Sequence, residues 1–233
     1  MRINRYLASC GVGSRRACDS LVEQGRVTIN GRTAKTGEDV DPEKDRVLLE
    51  GQPVARESLV YLLLNKPRNV LCTNHDPDGR RTIHDILPPM GERVYHAGRL
   101  DRNSEGLLLV TNDGDLANLL THPSHSFTKE YEVMLDRPLT DADLARVREG
   151  VRSEGELLRA VSCQPSGPPG GYLLELSEGR NRHIRRMFEA MGLSVRHLRR
   201  IRIGPLTLAG LGTGEWRHLR RDEVERLFRL GSA

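Results

Sequence analysis

The run Gly106-Leu107-Leu108-Leu109-Val110-Thr111 most narrows what this chain can fold into. It is apolar, short and closed at once by the turn signal Asn112-Asp113-Gly114, which is the pattern of a buried strand. Tyr61-Leu62-Leu63-Leu64 predicts another. Between and beyond them the period changes. Leu116, Leu119 and Leu120 have helical spacing that His122-Pro123 ends, whereas Phe127, Tyr131, Val133 and Leu135 keep strand parity, which puts Lys129 on their face. Thr140 with Asp143 three residues on predicts a capped helix, stopped by Gly150. Residues 165–171 read as an exposed loop and Tyr172 to Leu176 as a strand. Ile184, Met187, Phe188 and Met191 then form the apolar stripe of a helix. Strands and helices mix without the regular alternation of a doubly wound sheet, so the fold class is α+β with a mainly antiparallel sheet.

The front of the chain follows a different pattern. Ile3, Leu7 and Cys10 predict a first helix ended by Gly11. Ser14 caps a second from Arg15 to Gln24, with Ala17 and Leu21 inward and Gly25 closing it. Val27 to Ile29 and the Asn30-Gly31 turn predict a hairpin, and Arg46 to Leu49 a further strand. So small a core is marginal alone, which suits an accessory domain and not an enzyme. The expected division is a small helical and hairpin domain over residues 1–50, a linker over 51–59 and a larger domain over 60–233.

Charge placement suggests a partner. Residues 1–35 carry seven basic and two acidic side chains, and residues 178–203 carry eight and two. Residues 36–60 reverse the sign, with three basic and seven acidic. Two basic clusters on a nearly balanced chain point to one polyanion, a nucleic acid. With nine aromatic residues, a stacking platform for single strands is not expected. No apolar run reaches the roughly 18 residues of a membrane span. The charged amino terminus is unlike a signal peptide, and the four cysteines form no Cys-x-x-Cys pair. These features predict a cytoplasmic protein with neither a disulfide framework nor a zinc knuckle.

Three constellations could do chemistry. The first is Gly98-Arg99-Leu100-Asp101-Arg102-Asn103-Ser104-Glu105-Gly106, directly before the buried strand. A guanidinium within about 4–6 Å favours the ionised form of a carboxylate, which suits a nucleophile or base and not a general acid. The second is Glu178 to Met187, where Arg182 and Arg186 fall opposite the apolar stripe and Arg185 on its flank, a position that calls for a carboxylate partner. In the third, Lys129 and Tyr131 share one strand face. Each has a plainer reading as a turn Asp, a surface Arg or a core Tyr. His122 and His125 read as loop histidines, since Pro123 breaks the helix that would align them on a metal.

The motifs taken together resolve this. Gly-Arg-Leu-Asp-x-x-Ser-x-Gly-Leu-Leu-Leu-x-Thr-Asn-Asp-Gly over 98–114 resembles the catalytic motif of the RsuA/RluB-type ribosomal RNA pseudouridine synthases. Asn65-Lys66-Pro67, Lys129-Glu130-Tyr131 and Glu178 to Met187 are similar to the family's other motifs, in the same order. Gly13-Ser14-Arg15-Arg16 and Gly25-Arg26-Val27 resemble the small RNA-binding domain first described in ribosomal protein S-four. The resemblance implies a two-domain enzyme that isomerises uridine to pseudouridine with no cofactor or metal. It implies Asp101 as the essential Asp, acting on the sugar, on the base or on a ribose proton. It implies Tyr131 as the ring stacked on the base and Arg185 as the partner of the Asp. Expected RNA contacts are Arg15, Arg16, Arg26, Lys66, Arg99, Lys129, Arg180, Arg182 and Arg186. His183 stands where relatives often carry Gln. The expected partner is ribosomal RNA within a pre-ribosomal particle, met by a monomer. The Ser14-Arg15-Arg16 segment and the Gly-Arg-Asn-Arg run over 179–182 resemble relatives acting on large-subunit (23S) rRNA more than those acting on small-subunit (16S) rRNA. The competing reading is a non-catalytic ribosome-assembly factor, which would have no need of the Asp101, Tyr131 and Arg185 set.

Overall fold

The protein is described here by a computed structural model covering residues 1–122 and 127–231. His125 and Pro123 lie outside the described residues. The backbone forms two compact units: one of Met1–Val60, Pro89–Val94 and Asn112–Gly114, the other of the remaining segments.

In the first unit, α1 (Ile3–Ser9) and α2 (Arg15–Glu23) pack through Ile3, Leu7, Cys18 and Val22. Ser14 caps α2 as its residue type demands: the Ala17 N–H donates to Ser14 Oγ at 3.2 Å. Ala17 itself is exposed, and Cys18, one position on, fills the core in its place. The strands β1 (Val27–Ile29), β2 (Arg32–Thr33), β3 (Val47–Leu49) and β4 (Gln52–Pro53) form an antiparallel sheet in the order β2-β1-β3-β4. Asn30 and Gly31 take φ of 51° and 83°, the pair of positive values that a two-residue hairpin turn requires. Glu50 and Gly51 repeat this with 51° and 80°. The expected linker therefore opens with a second hairpin, and Pro53 is tolerated because β4 is an edge strand.

The second unit holds β5 (Tyr61–Lys66), β6 (Tyr95–Ala97), β7 (Glu105–Thr111), α3 (Gly114–Thr121), β8 (Lys129–Leu135), α4 (Asp141–Glu149), β9 (Val151–Ser153), β10 (Glu156–Leu158), β11 (Ser162–Pro165), β12 (Gly171–Leu176), α5 (His183–Glu189), β13 (Val195–Ile203), β14 (Leu206–Thr207), β15 (Trp216–His218) and α6 (Arg221–Gly231). Its main sheet runs β11-β12-β8-β13-β7-β5-β15, with β14 on β13 and β6 on β7. Among the described strand pairs only β13 with β7 is parallel, so the expected α+β, mainly antiparallel architecture is the one the protein adopts. One core gathers β8, β12 and α5 around Tyr131, Leu174 and Phe188. The other gathers β7, α3 and α6 around Leu107, Leu120 and Leu227.

The α4 capping box is complete. Asp143 N–H donates to Thr140 Oγ1 at 3.2 Å and Thr140 N–H to Asp143 Oδ2 at 3.1 Å, while Arg137 Nη1 reaches the same oxygen at 3.0 Å. The Thr140 N–H, then Arg137, holds the Asp143 carboxyl below its ordinary 3.8. The unfolded chain therefore takes up this proton first on acidification, and the contribution is complete above 3.8 and lost as pH falls below it. Asp143→Asn should cost about 1 kcal/mol at neutral pH, and the difference from wild type should shrink in urea melts run at progressively lower pH. A difference that persists undiminished in acid would refute the assignment.

The junction of β7 and β13 has a stricter requirement. Gly106 has φ of 106°, and a Cβ added there would lie 2.1 Å from the Arg200 carbonyl oxygen and 2.7 Å from its nitrogen. Both contacts are backbone, so neither can swing aside. Gly106→Ala is expected to destabilise the protein by about 3 kcal/mol or more, read as a lower urea midpoint. An unchanged midpoint would show that the strands part without cost.

Candidate active site

Asp101 lies in the turn that leads into β7, and that turn is fixed by its carbonyls. Ser104 N–H donates to Asp101 O at 3.0 Å, and Asn69 N–H to Arg102 O at 2.7 Å. Arg185 Nη2 donates to Asn103 O at 3.2 Å and Lys66 Nζ to Ser104 O at 2.9 Å. Four consecutive carbonyls, Asp101 to Ser104, are thus occupied, and the loop has little freedom to reorient its carboxylate. Leu100 N–H donates to Cys72 Sγ at 3.4 Å on the other side.

The Asp101 side chain is 34% exposed, and its Oδ2 lies 3.9 Å from Arg185 Nε. That separation carries charge attraction but is too long for a hydrogen bond. Arg185 is held in place by Nη1 donating to Val195 O at 3.0 Å; burial lowers its pKa, and Asp101 opposes that shift. The carboxylate accepts no hydrogen bond among the described residues, so both oxygens remain available for a bound molecule. It opens on a cavity of about 170 Å³, several times the roughly 30 Å³ share of one water, which Tyr131 also lines. Among the described residues Asp101 is the only carboxylate on that wall, against six cations: Arg99, Lys129, Arg180, Arg182, Arg185 and Arg200. A lone carboxylate with free oxygens in a cationic cleft can act as a nucleophile or base toward a polyanion. Among the described residues, no group of three or more His, Cys, Asp or Glu is arranged to hold a metal ion.

Comparison with known proteins decides what this cleft belongs to. The family profile for RNA pseudouridylate synthase matches residues 60–190, and that for the S4 domain matches residues 1–55. This chain belongs to the RNA pseudouridylate synthase family. A relative from Aquifex aeolicus described as an uncharacterized RNA pseudouridine synthase is 38% identical, over 98% of this chain and 94% of its own. Ribosomal large subunit pseudouridine synthase B of Vibrio cholerae is 38% identical over 98% of this chain and 74% of its own. The dual-specificity RNA pseudouridine synthase RluF of Shigella flexneri is 38% identical over 99% and 79%. A crystal structure of a pseudouridylate synthase superposes with a TM-score of 0.71 at 31% identity, covering 97% of this chain and 99% of that one.

The synthase distributes the expected RNA contacts unevenly. Arg15 and Arg16 are exposed on the first turn of α2 and pair with no carboxylate among the described residues. Arg26 is exposed but engaged by Glu50 at 2.5 Å. Arg99 is exposed, as are Arg180, which bridges Glu156 and Glu178, and Arg182, which pairs with Glu189. Arg182 precedes α5 with φ of 46° instead of lying on it. Two expectations are corrected. Lys66 is fully buried, and its ammonium donates to Pro67 O at 2.8 Å, Ser104 O at 2.9 Å and Arg102 O at 3.5 Å; it is a strut of the Asp101 loop. Arg186 is also buried, because the β9–β10 hairpin packs on α5. It pairs with Glu156 at 2.7 Å and Glu154 at 3.1 Å and donates to Ser153 O, so it does not face RNA.

Two cavity residues were not singled out in the sequence. Ser104 is buried with its hydroxyl unpartnered. Arg200 lies directly opposite Tyr131 in the β8–β13 ladder, beside an irregularity at Arg200/Arg202 that alters which side chains point inward. His183 is buried on the same wall, and burial lowers its pKa, favouring the neutral ring.

Proposed function

We propose that the synthase isomerises a uridine of large-subunit rRNA, with Asp101 as the essential carboxylate, Arg185 as its charge partner and Tyr131 as the ring that stacks on the base. The observation that carries this reading is the Asp101–Arg185 pair beside Tyr131 in a cavity sized for one small planar ring. Identity to a large-subunit synthase across both domains supports the choice of rRNA. Extruding a paired base costs a few kcal/mol. The apolar wall of Leu176, Ile184 and Leu198 together with Tyr131 offsets that cost by burying the base. Arg15 and Arg16 of the first unit dock RNA phosphates, and Arg99, Arg180 and Arg182 reach those near the target. The protein acts as a cytoplasmic monomer on rRNA within an assembling particle.

Chemical mapping of pseudouridine in rRNA from cells with and without the gene tests the substrate. One site should disappear from large-subunit rRNA. Loss of a small-subunit site, or of none, would overturn the assignment.

A further inference from the structure

The cavity contains two desolvated cations with no counter-charge. Arg200 is 3% exposed; its Nε donates to Leu107 O at 2.8 Å, and its Nη2, also buried, has no hydrogen-bond partner. Among the described residues, Lys129 donates to Phe127 O alone, at 3.1 Å, and the charge that acts on it is that of Arg200. Neither pairs with a carboxylate among the described residues, and burying unpaired like charges together is unfavourable unless an anion arrives. Position says which anion. The cations suited to phosphates, Arg99, Arg180 and Arg182, are exposed. Lys129 and Arg200 instead stand on the sheet, Lys129 two residues from Tyr131 on one face and Arg200 across the ladder from it.

We infer that Lys129, backed by Arg200, contacts the carbonyl oxygens of the uracil and holds the negative charge the base carries while it is detached from ribose. The inference rests on the Asp101 cavity being the active site. When the C1′–N1 bond breaks, its electron pair leaves with the ring and spreads over N1 and the two carbonyl oxygens. Ring carbon five then bonds to C1′, and its proton ends on N1, so no oxidant, reductant or co-substrate is consumed. Attack by Asp101 on ring carbon six would instead put an enolate charge on the carbonyl oxygen at carbon four. Donors placed where charge develops contribute to rate and little to ground-state affinity.

The test is single-turnover conversion at saturating protein, using whichever rRNA the unaltered protein modifies. Because the substrate is fixed on the unaltered protein first, a wrong rRNA assignment shows in that choice and not as a defect of the variant. Lys129→Met should slow conversion about 10²–10³-fold, with RNA affinity within about threefold and an unchanged melting temperature. Lys129→Arg should recover part of the rate. Burial and Arg200 hold the Lys129 pKa below the usual lysine range. The other titratable or charged groups on the cavity, Asp101, Tyr131, Arg99, Arg180, Arg182, Arg185, Arg200 and His183, are common to both proteins. Wild-type activity should therefore fall in alkali as Lys129 loses its proton, and the Arg variant should hold its rate to higher pH. A Lys129→Met rate within threefold of wild type, a loss confined to affinity, or an alkaline limb identical in Lys129→Arg would each overturn the inference.

Discussion

Asp101→Asn is expected to slow single-turnover pseudouridine formation by about a thousandfold or more, with RNA affinity changed by no more than about threefold. The amide matches the carboxylate in size and leaves the loop intact, because the loop is held by backbone carbonyls and not by the Asp101 side chain. What the substitution removes is the only negative charge, among the described residues, on a wall of six cations. A neutral amide can neither attack a carbon nor take a proton. Affinity should persist because the cations proposed to meet phosphate are untouched. Filter binding and a quenched-flow time course on the same preparation separate the two effects. Near-normal turnover in the variant would exclude Asp101 from the chemistry.

Lys66→Met should have a large structural effect and a kinetic one together. The methionine fills the stem, but the carbonyls of Pro67 and Ser104 lose their donor, and that of Arg102 keeps only Asn69 N–H. Each buried acceptor left unpaired costs about 1–3 kcal/mol. Relief from burying an ammonium returns part of that, for a net loss of about 2–4 kcal/mol. Trp216, the single tryptophan, pairs with Leu64 on the strand that carries Lys66, so its fluorescence reports the transition. The rate should fall as well, because two struts of the Asp101 loop disappear. Wild-type stability and rate in Lys66→Met would show that the ammonium braces nothing.

These two lysine and aspartate results bear on what a sequence discloses. The elements around the site were legible because their periodicity is strong: Leu107 to Val110 as a buried strand, Ile184, Met187 and Phe188 as a helix face, Ser14 and Thr140 as caps. Asp101 and Arg185 were legible from ordered motifs, which the structure brings to 3.9 Å. Lys66 was not, since a lysine ending a strand reads as solvated and only tertiary carbonyls draw it inward. Arg186 misled for a related reason: helical phase puts it opposite the core, but a separate hairpin turning at Glu154-Gly155 covers that face. Arg200 was hidden among the four arginines of β13, where the irregularity beside it breaks the two-residue period. The Glu50-Gly51 turn falls at the start of the expected linker, because Glu-Gly is a weaker hairpin signal than the Asn-Gly of residues 30 and 31.

The most direct test of the account uses purified protein and rRNA transcripts carrying tritium at uridine ring carbon five. Formation of the new bond to ribose expels that hydrogen, so release counts conversions. The account predicts release of one tritium per large-subunit transcript, none from small-subunit transcripts and none with Asp101→Asn. Release from small-subunit RNA alone, or undiminished release by Asp101→Asn, would contradict it.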